Sequence, residues 1–218
     1  MNRQARRARK MLPSIIITVL SMIQALALEL YWNRFQESEF LWQGGWDAWV
    51  GWLQMTVMLG GILLIWLLYV SLVLRFSWLP SMEDTLIPFA IGLLEFSQIN
   101  LMGPDTLGPW FLALAALFAI CTLANHTVFV RARKDPANAY FFSKIPAASW
   151  RDFTTSTVII LTLILFGAAI WISGNRSGLP LAALIFGMTA LAYQFVLTHR
   201  YWMNTLLRED EPDKTQPL

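Results

Sequence analysis

The feature that most constrains the fold is a series of six apolar runs, Met11–Leu30, Trp52–Leu74, Leu86–Met102, Pro109–Val130, Ser156–Ser173 and Leu179–Thr198, each bounded by Gly, Pro or charge. A helix rising about 1.5 Å per residue needs about 17 to 25 residues to cross the hydrocarbon of a bilayer, and every run reaches that range, the third only near its lower limit. A membrane barrel would instead show alternating segments of about ten residues. Peptide groups of an open sheet find no partners in lipid, which leaves helices. The expected fold is all-α, a polytopic membrane bundle of six transmembrane helices over residues 1–207, followed by a charged cytoplasmic tail over residues 208–218.

Composition agrees with a membrane as solvent. With 56% hydrophobic and 14% charged residues, a chain of 218 residues has too little polar surface for a water-soluble globule. A net charge of +2 gives no reason to expect a nucleic-acid partner. Cys121 is the only cysteine, so neither an intrachain disulfide nor a cysteine-based metal site can form.

Lysine and arginine set the expected orientation. Arg3, Arg6, Arg7, Arg9 and Lys10 precede the first run, Arg75 ends the second, and Arg131, Arg133, Lys134, Lys144 and Arg151 lie between the fourth and fifth. With Arg200, Arg208 and Lys214 they make 14 of the 16 basic residues on one side, against Arg34 and Arg176 on the other. The positive-inside rule then places both termini in the cytoplasm, in what reads as a bacterial inner membrane. A basic leader, an apolar stretch and Ala25-Leu26-Ala27 also resemble a cleavable signal peptide, but the stretch exceeds the about 7 to 15 residues of a signal core, which favours a retained span.

Between the first two runs, Tyr31 to Gly51 carries an unusual density of aromatic residues. Trp32, Trp42, Trp46, Trp49 and Trp52 suit the headgroup zone, where an indole buries its ring and still hydrogen-bonds. The spacing of Trp42, Trp46 and Trp49 puts them on one face of a helix starting near Leu41 and lying along the interface, although Gly44-Gly45 weakens it. The basic loop from Arg131 to Asp152 is broken into turns by Asp135-Pro136 and Ile145-Pro146.

Polar residues inside the runs are where function has to show, because a charge at membrane depth is costly and usually faces a bundle interior or a wet cavity. Helical rise places Gln24 and Glu95 at about 10 Å from the outer end, with Gln98 one turn from Glu95 on the same face. A second layer, about 20 to 25 Å down, holds Tyr69, Asn125, His126, Thr157 and Gln194. Glu95 is the sharpest of these: it is either neutral or paired in a wet interior, and reads as a proton or cation site with Gln24 beside it. His126 reads as an interhelical hydrogen-bonding group, toward Gln194 or Tyr69, or as a proton relay. No histidine spacing suggests a metal, no nucleophile has an adjacent base, and no cofactor motif occurs. Small residues Gly167 and Gly187 are expected to let the fifth and sixth spans pack closely on each other.

The expected function is a channel or transporter for a small ion, proton or cation, or for a small solute, with Glu95, Gln98, Gln24, Asn125, His126, Gln194 and Tyr69 along its path. The alternatives are a non-catalytic subunit of a larger membrane complex and, behind it, a membrane-embedded lipid-modifying enzyme. Membrane lipid, further copies of the chain or other membrane subunits are the expected partners.

Overall fold

The computed structural model describes residues 3–78, 81–143, 147–174 and 178–206, and these are built from helices and short connections. The helices are α1 (Arg3–Glu37), α2 (Gly45–Arg75), α3 (Met82–Asn100), α4 (Leu107–Arg133), α5 (Ala139–Ser143), α6 (Thr154–Ser173) and α7 (Leu179–Leu206). Lys144 to Pro146, Asn175 to Ser177 with Arg176 among them, and the tail from Leu207 lie outside the described residues.

Five stretches are long and apolar enough to cross a membrane: Pro13–Glu37, Gly45–Arg75, Pro104–Arg133, Trp150–Ser173 and Leu179–Arg200. Six were expected, and α3 is the one that falls short. Its 19 residues include Glu83, Asp84 and Glu95, a charge load too heavy for an apolar span of that length. The surface is inverted relative to that of a soluble protein. Met22, Leu26, Leu93, Leu165 and Ile172 are exposed, while Gln24, Gln54, Glu95 and Gln98 are buried. That pattern, with the five apolar helices, fits a multi-pass membrane protein.

Contacts fix the directions of the helices. Gln24 of α1 reaches Glu95 of α3, and ten residues further on Arg34 reaches the Met102 carbonyl just past α3, so α1 and α3 run parallel. Between them in sequence, α2 runs back, with Trp66 Nε1 donating to Ser21 Oγ. Arg131, near the end of α4, pairs with Glu83 and Asp84 at the start of α3, which makes those two helices antiparallel. Gly108 of α4 meets Gly167 of α6, and His126 meets Phe153, again antiparallel. Positions 57 and 60 of α2 face positions 187 and 191 of α7, so these two run parallel. One end of the bundle therefore carries Arg75, Arg131, Arg133 and Arg200, and is called the basic end below.

Two expectations about packing are corrected. A Cβ on Gly108 would lie 2.9 Å from Trp171 N and 3.0 Å from Gly167 O, so α6 packs backbone to backbone on α4. Gly187 faces Phe111, Leu114 and Val57 at 3.9 Å, and α7 packs chiefly on α2. Small residues allow close approach but do not choose the partner. The aromatic segment is likewise not a long interfacial loop. α1 continues to Glu37 and α2 starts at Gly45, leaving only residues 38–44 as the connection. Ser38 Oγ donates to the Arg34 carbonyl at the end of α1, and Gly44 and Gly45 take φ of 75° and 81°, which stops any helix running from Leu41 into Trp46.

At the basic end the chain is closed by side chains that satisfy backbone. Asn138 Oδ1 accepts from Ser77 N, and its Nδ2 donates to the carbonyls of Ser77 and Ala132. Phe76, Phe129, Phe141 and Phe142 cluster there, Phe76 stacked on Phe142 and the other pairs edge-on, with Arg75 4.2 Å from the Phe141 ring centre and Arg133 4.6 Å from that of Phe142.

Candidate functional site

Glu95 is completely enclosed between α1 and α3, at 0% exposure. Gly92, one turn earlier on α3, makes this possible, since a Cβ there would lie 2.5 Å from Ile23 Cγ2. The backbones come close enough for Gln24 Nε2 to donate to both carboxyl oxygens of Glu95, at 3.0 and 2.8 Å. Among the described residues Glu95 makes no ion pair, and this neutral amide is its polar partner. Gln98 is buried on the same face, but its Nε2 finds no acceptor, and neither does Gln24 Oε1 find a donor. Gln24 and Glu95, expected at one depth, bond directly, and Gln98 follows one turn further along α3.

The second expected layer is divided among four places. Asn125 and Gln194 line a cavity of about 70 Å³ between α2, α4 and α7, together with Thr122 and Thr198. Tyr69 instead lines a cavity of about 10 Å³ with Trp78 and Asp84, room for about one water. His126 meets neither Gln194 nor Tyr69. Its ring packs edge-on against Phe153, with centroids 4.9 Å apart. Thr157 is exposed.

Two polar knots were missed in the sequence. At the basic end, Asp84 accepts from Trp78 Nε1 at 3.2 Å and from Ser81 N at 2.9 Å, and its other oxygen lies 2.6 Å from Arg131, which also pairs with Glu83. The signal was the Ser81-x-x-Asp84 capping box. At the far end, Arg34 Nε donates to the Met102 carbonyl at 3.1 Å and Gln54 Oε1 accepts from Gly103 N at 3.0 Å, while Gln54 Nε2 is unpartnered. Gly103 has φ 147°, a conformation that admits only glycine readily and turns the chain from α3 into α4.

Trp32, Trp42 and Trp49 are largely exposed near this end, and Trp46 and Trp52 partly so. Phe35 ties Trp32, Trp42 and Trp52 into one aromatic cluster with centroid distances of 5.4, 5.6 and 5.7 Å. Trp52 Nε1 donates to the Leu41 carbonyl at 3.2 Å, so this ring also holds the link between α1 and α2. Among the described residues no three of His, Cys, Asp or Glu gather in a metal-binding group.

Fold and site together fit a multi-pass membrane protein, with a buried carboxyl–amide pair and a separate, partly polar cavity. No family model, curated protein or solved structure matches the chain.

Proposed function

We propose that the chain is a six-span protein of the bacterial inner membrane, with both termini cytoplasmic, that moves a proton or small cation by way of Glu95. The single observation behind this reading is that Glu95 is fully buried and, among the described residues, is held by a neutral amide alone. A bare carboxylate in such a place is costly, so its charge has to be met by a proton or a small cation. As the sixth span, α3 is supported by its bonds to α1 at Glu95 and, just past its end, at Met102, and by internal neutralisation of Asp84 by Arg131. Its 19 residues give about 28 Å, close to the hydrocarbon thickness. Orientation rests on the sequence pattern, which assigns 14 of the 16 basic residues to one side.

The test is flux in proteoliposomes under a pH or cation gradient. Glu95→Gln keeps the shape and removes the exchangeable charge, so it should abolish flux without altering the elution profile. A second reading, a non-catalytic subunit of a larger membrane complex, is favoured by one fact: neither cavity described above has Glu95 in its wall. Equal fluxes in wild type and Glu95→Gln would leave that reading in the lead.

A further inference from the structure

We propose that the cavity between α2, α4 and α7 binds a single-chain amphiphile with an uncharged, hydrogen-bonding head of the alcohol or amide kind. This does not rest on transport through Glu95, which lies outside the cavity wall. The cavity of about 70 Å³ is open on one side and has room for roughly five groups the size of a water or methylene, so it takes the head and the nearest methylenes of a longer chain. Gly61 helps to create it, because a Cβ there would meet nothing within 4 Å.

The walls are graded. α2, α4 and α7 run in the same direction, so rising residue number leads toward the basic end in all three. Gly61, Leu114 and Leu191 therefore lie at the deep end, and Asn125, Gln194 and Thr198 at the basic end. None of these last three side chains makes a protein hydrogen bond among the described residues, although Thr198 is buried. Water alone would leave the leucine and phenylalanine walls wet, and apolar voids stay dry. Hydrocarbon alone would leave the amides of Asn125 and Gln194 unmet. An amphiphile satisfies both ends.

The head is assigned as neutral because no charged side chain among the described residues lines the cavity. Arg131, about 9 Å further along α4 from Asn125, is already held by Glu83 and Asp84. Asn and Gln amides both donate and accept, which suits an alcohol or amide head.

Cys121 lines the cavity and is the chain's only cysteine, so it reports occupancy without engineering. The experiment is alkylation of Cys121 by N-ethylmaleimide in lipid nanodiscs, with 1-octanol as the probe. At about four times its Kd, 1-octanol should slow alkylation about fivefold, as the unoccupied fraction falls to about a fifth. Octane, octanoate and octyltrimethylammonium should protect far less. Gly61→Leu, which fills the deep end, should slow alkylation without any octanol. Asn125→Leu combined with Gln194→Leu should leave Cys121 reactive but abolish the octanol effect. The proposal is overturned if Cys121 does not react in the empty protein, if octanoate protects as well as octanol, or if protection survives in the double variant. Equal slowing at Ser173→Cys in a Cys121→Ser background, on the exposed end of α6, would show that octanol acts on the bilayer, and would overturn it too.

Discussion

The α1–α3 and α4–α6 interfaces both use glycine to bring two helices close, and they fill the resulting contact with opposite chemistry. At α4–α6, Gly108 and Gly167 face each other and the contact is backbone on backbone, with Leu112 and Trp171 closing the sides. At α1–α3, Gly92 has no partner glycine. The approach it allows is taken up by Ile23 and by the bond from Gln24 to Glu95. In lipid, where apolar burial supplies no drive between helices, close packing and hydrogen bonding are the two available sources of association. The first interface relies on packing and tolerates no volume. The second relies on a polar pair and tolerates volume better than loss of that pair.

The sharpest way to break this comparison is Gly108→Leu. Its side chain would run into Trp171 N and the Gly167 carbonyl, both main-chain atoms that cannot rotate away. A destabilisation of about 3 kcal/mol or more is expected, seen as loss of monodisperse protein in detergent. Wild-type yield and melting would show that α4 and α6 are not in backbone contact.

Next in size is the polar pair. Glu95→Ala removes the acceptor of Gln24 in a dry interior and should cost about 1–3 kcal/mol. Glu95→Gln should stay within about 1 kcal/mol of wild type, since an amide can still accept from Gln24. If both variants melt alike, the hydrogen bond does not hold α1 to α3.

A smaller loss, about 1–2 kcal/mol, is expected for Gly92→Ala, because the new methyl must displace Ile23 Cγ2, a side-chain atom on a β-branched residue. Ile23→Ala in the same chain should restore part of it, and a double-mutant cycle without coupling would place the two residues apart.

Smallest of all is Gly187→Ala. The nearest atoms to an added Cβ are 3.9 Å away, an ordinary van der Waals contact, so the change should lie within about 0.5 kcal/mol of neutral. A loss as large as that at Gly108 would restore Gly187 to a tight helix crossing and remove the contrast.

Much of the candidate site was legible because it rests on local rules. Gln24, Glu95 and Gln98 stand out as polar residues in apolar runs, and a helical rise applied to each run brings Gln24 and Glu95 to one level, with Gln98 one turn away. The layer of Tyr69, Asn125, His126 and Gln194 was legible as a depth but not as a place. Rise gives height along a helix and says nothing about which neighbour a side chain faces, so His126 ends against Phe153 and Tyr69 against the Asp84 knot. Gln54 and Arg34 were overlooked because they lie at or just beyond the ends of the apolar runs, where polar residues are common. Only the approach of Gly103 and Met102 makes partners of them.

By itself the sequence determined that this chain is helical and rich in membrane-length apolar segments, because the length of an apolar run and the cost of bare peptide groups in lipid are properties of single segments. The tertiary structure decided which helices touch. It put α6 on α4 through Gly108 and Gly167 and α7 on α2, shortened the aromatic loop to residues 38–44, and gave α3 its internal charge partners. Such pairings depend on shape and hydrogen bonds between distant segments. A one-dimensional pattern of hydropathy does not encode those.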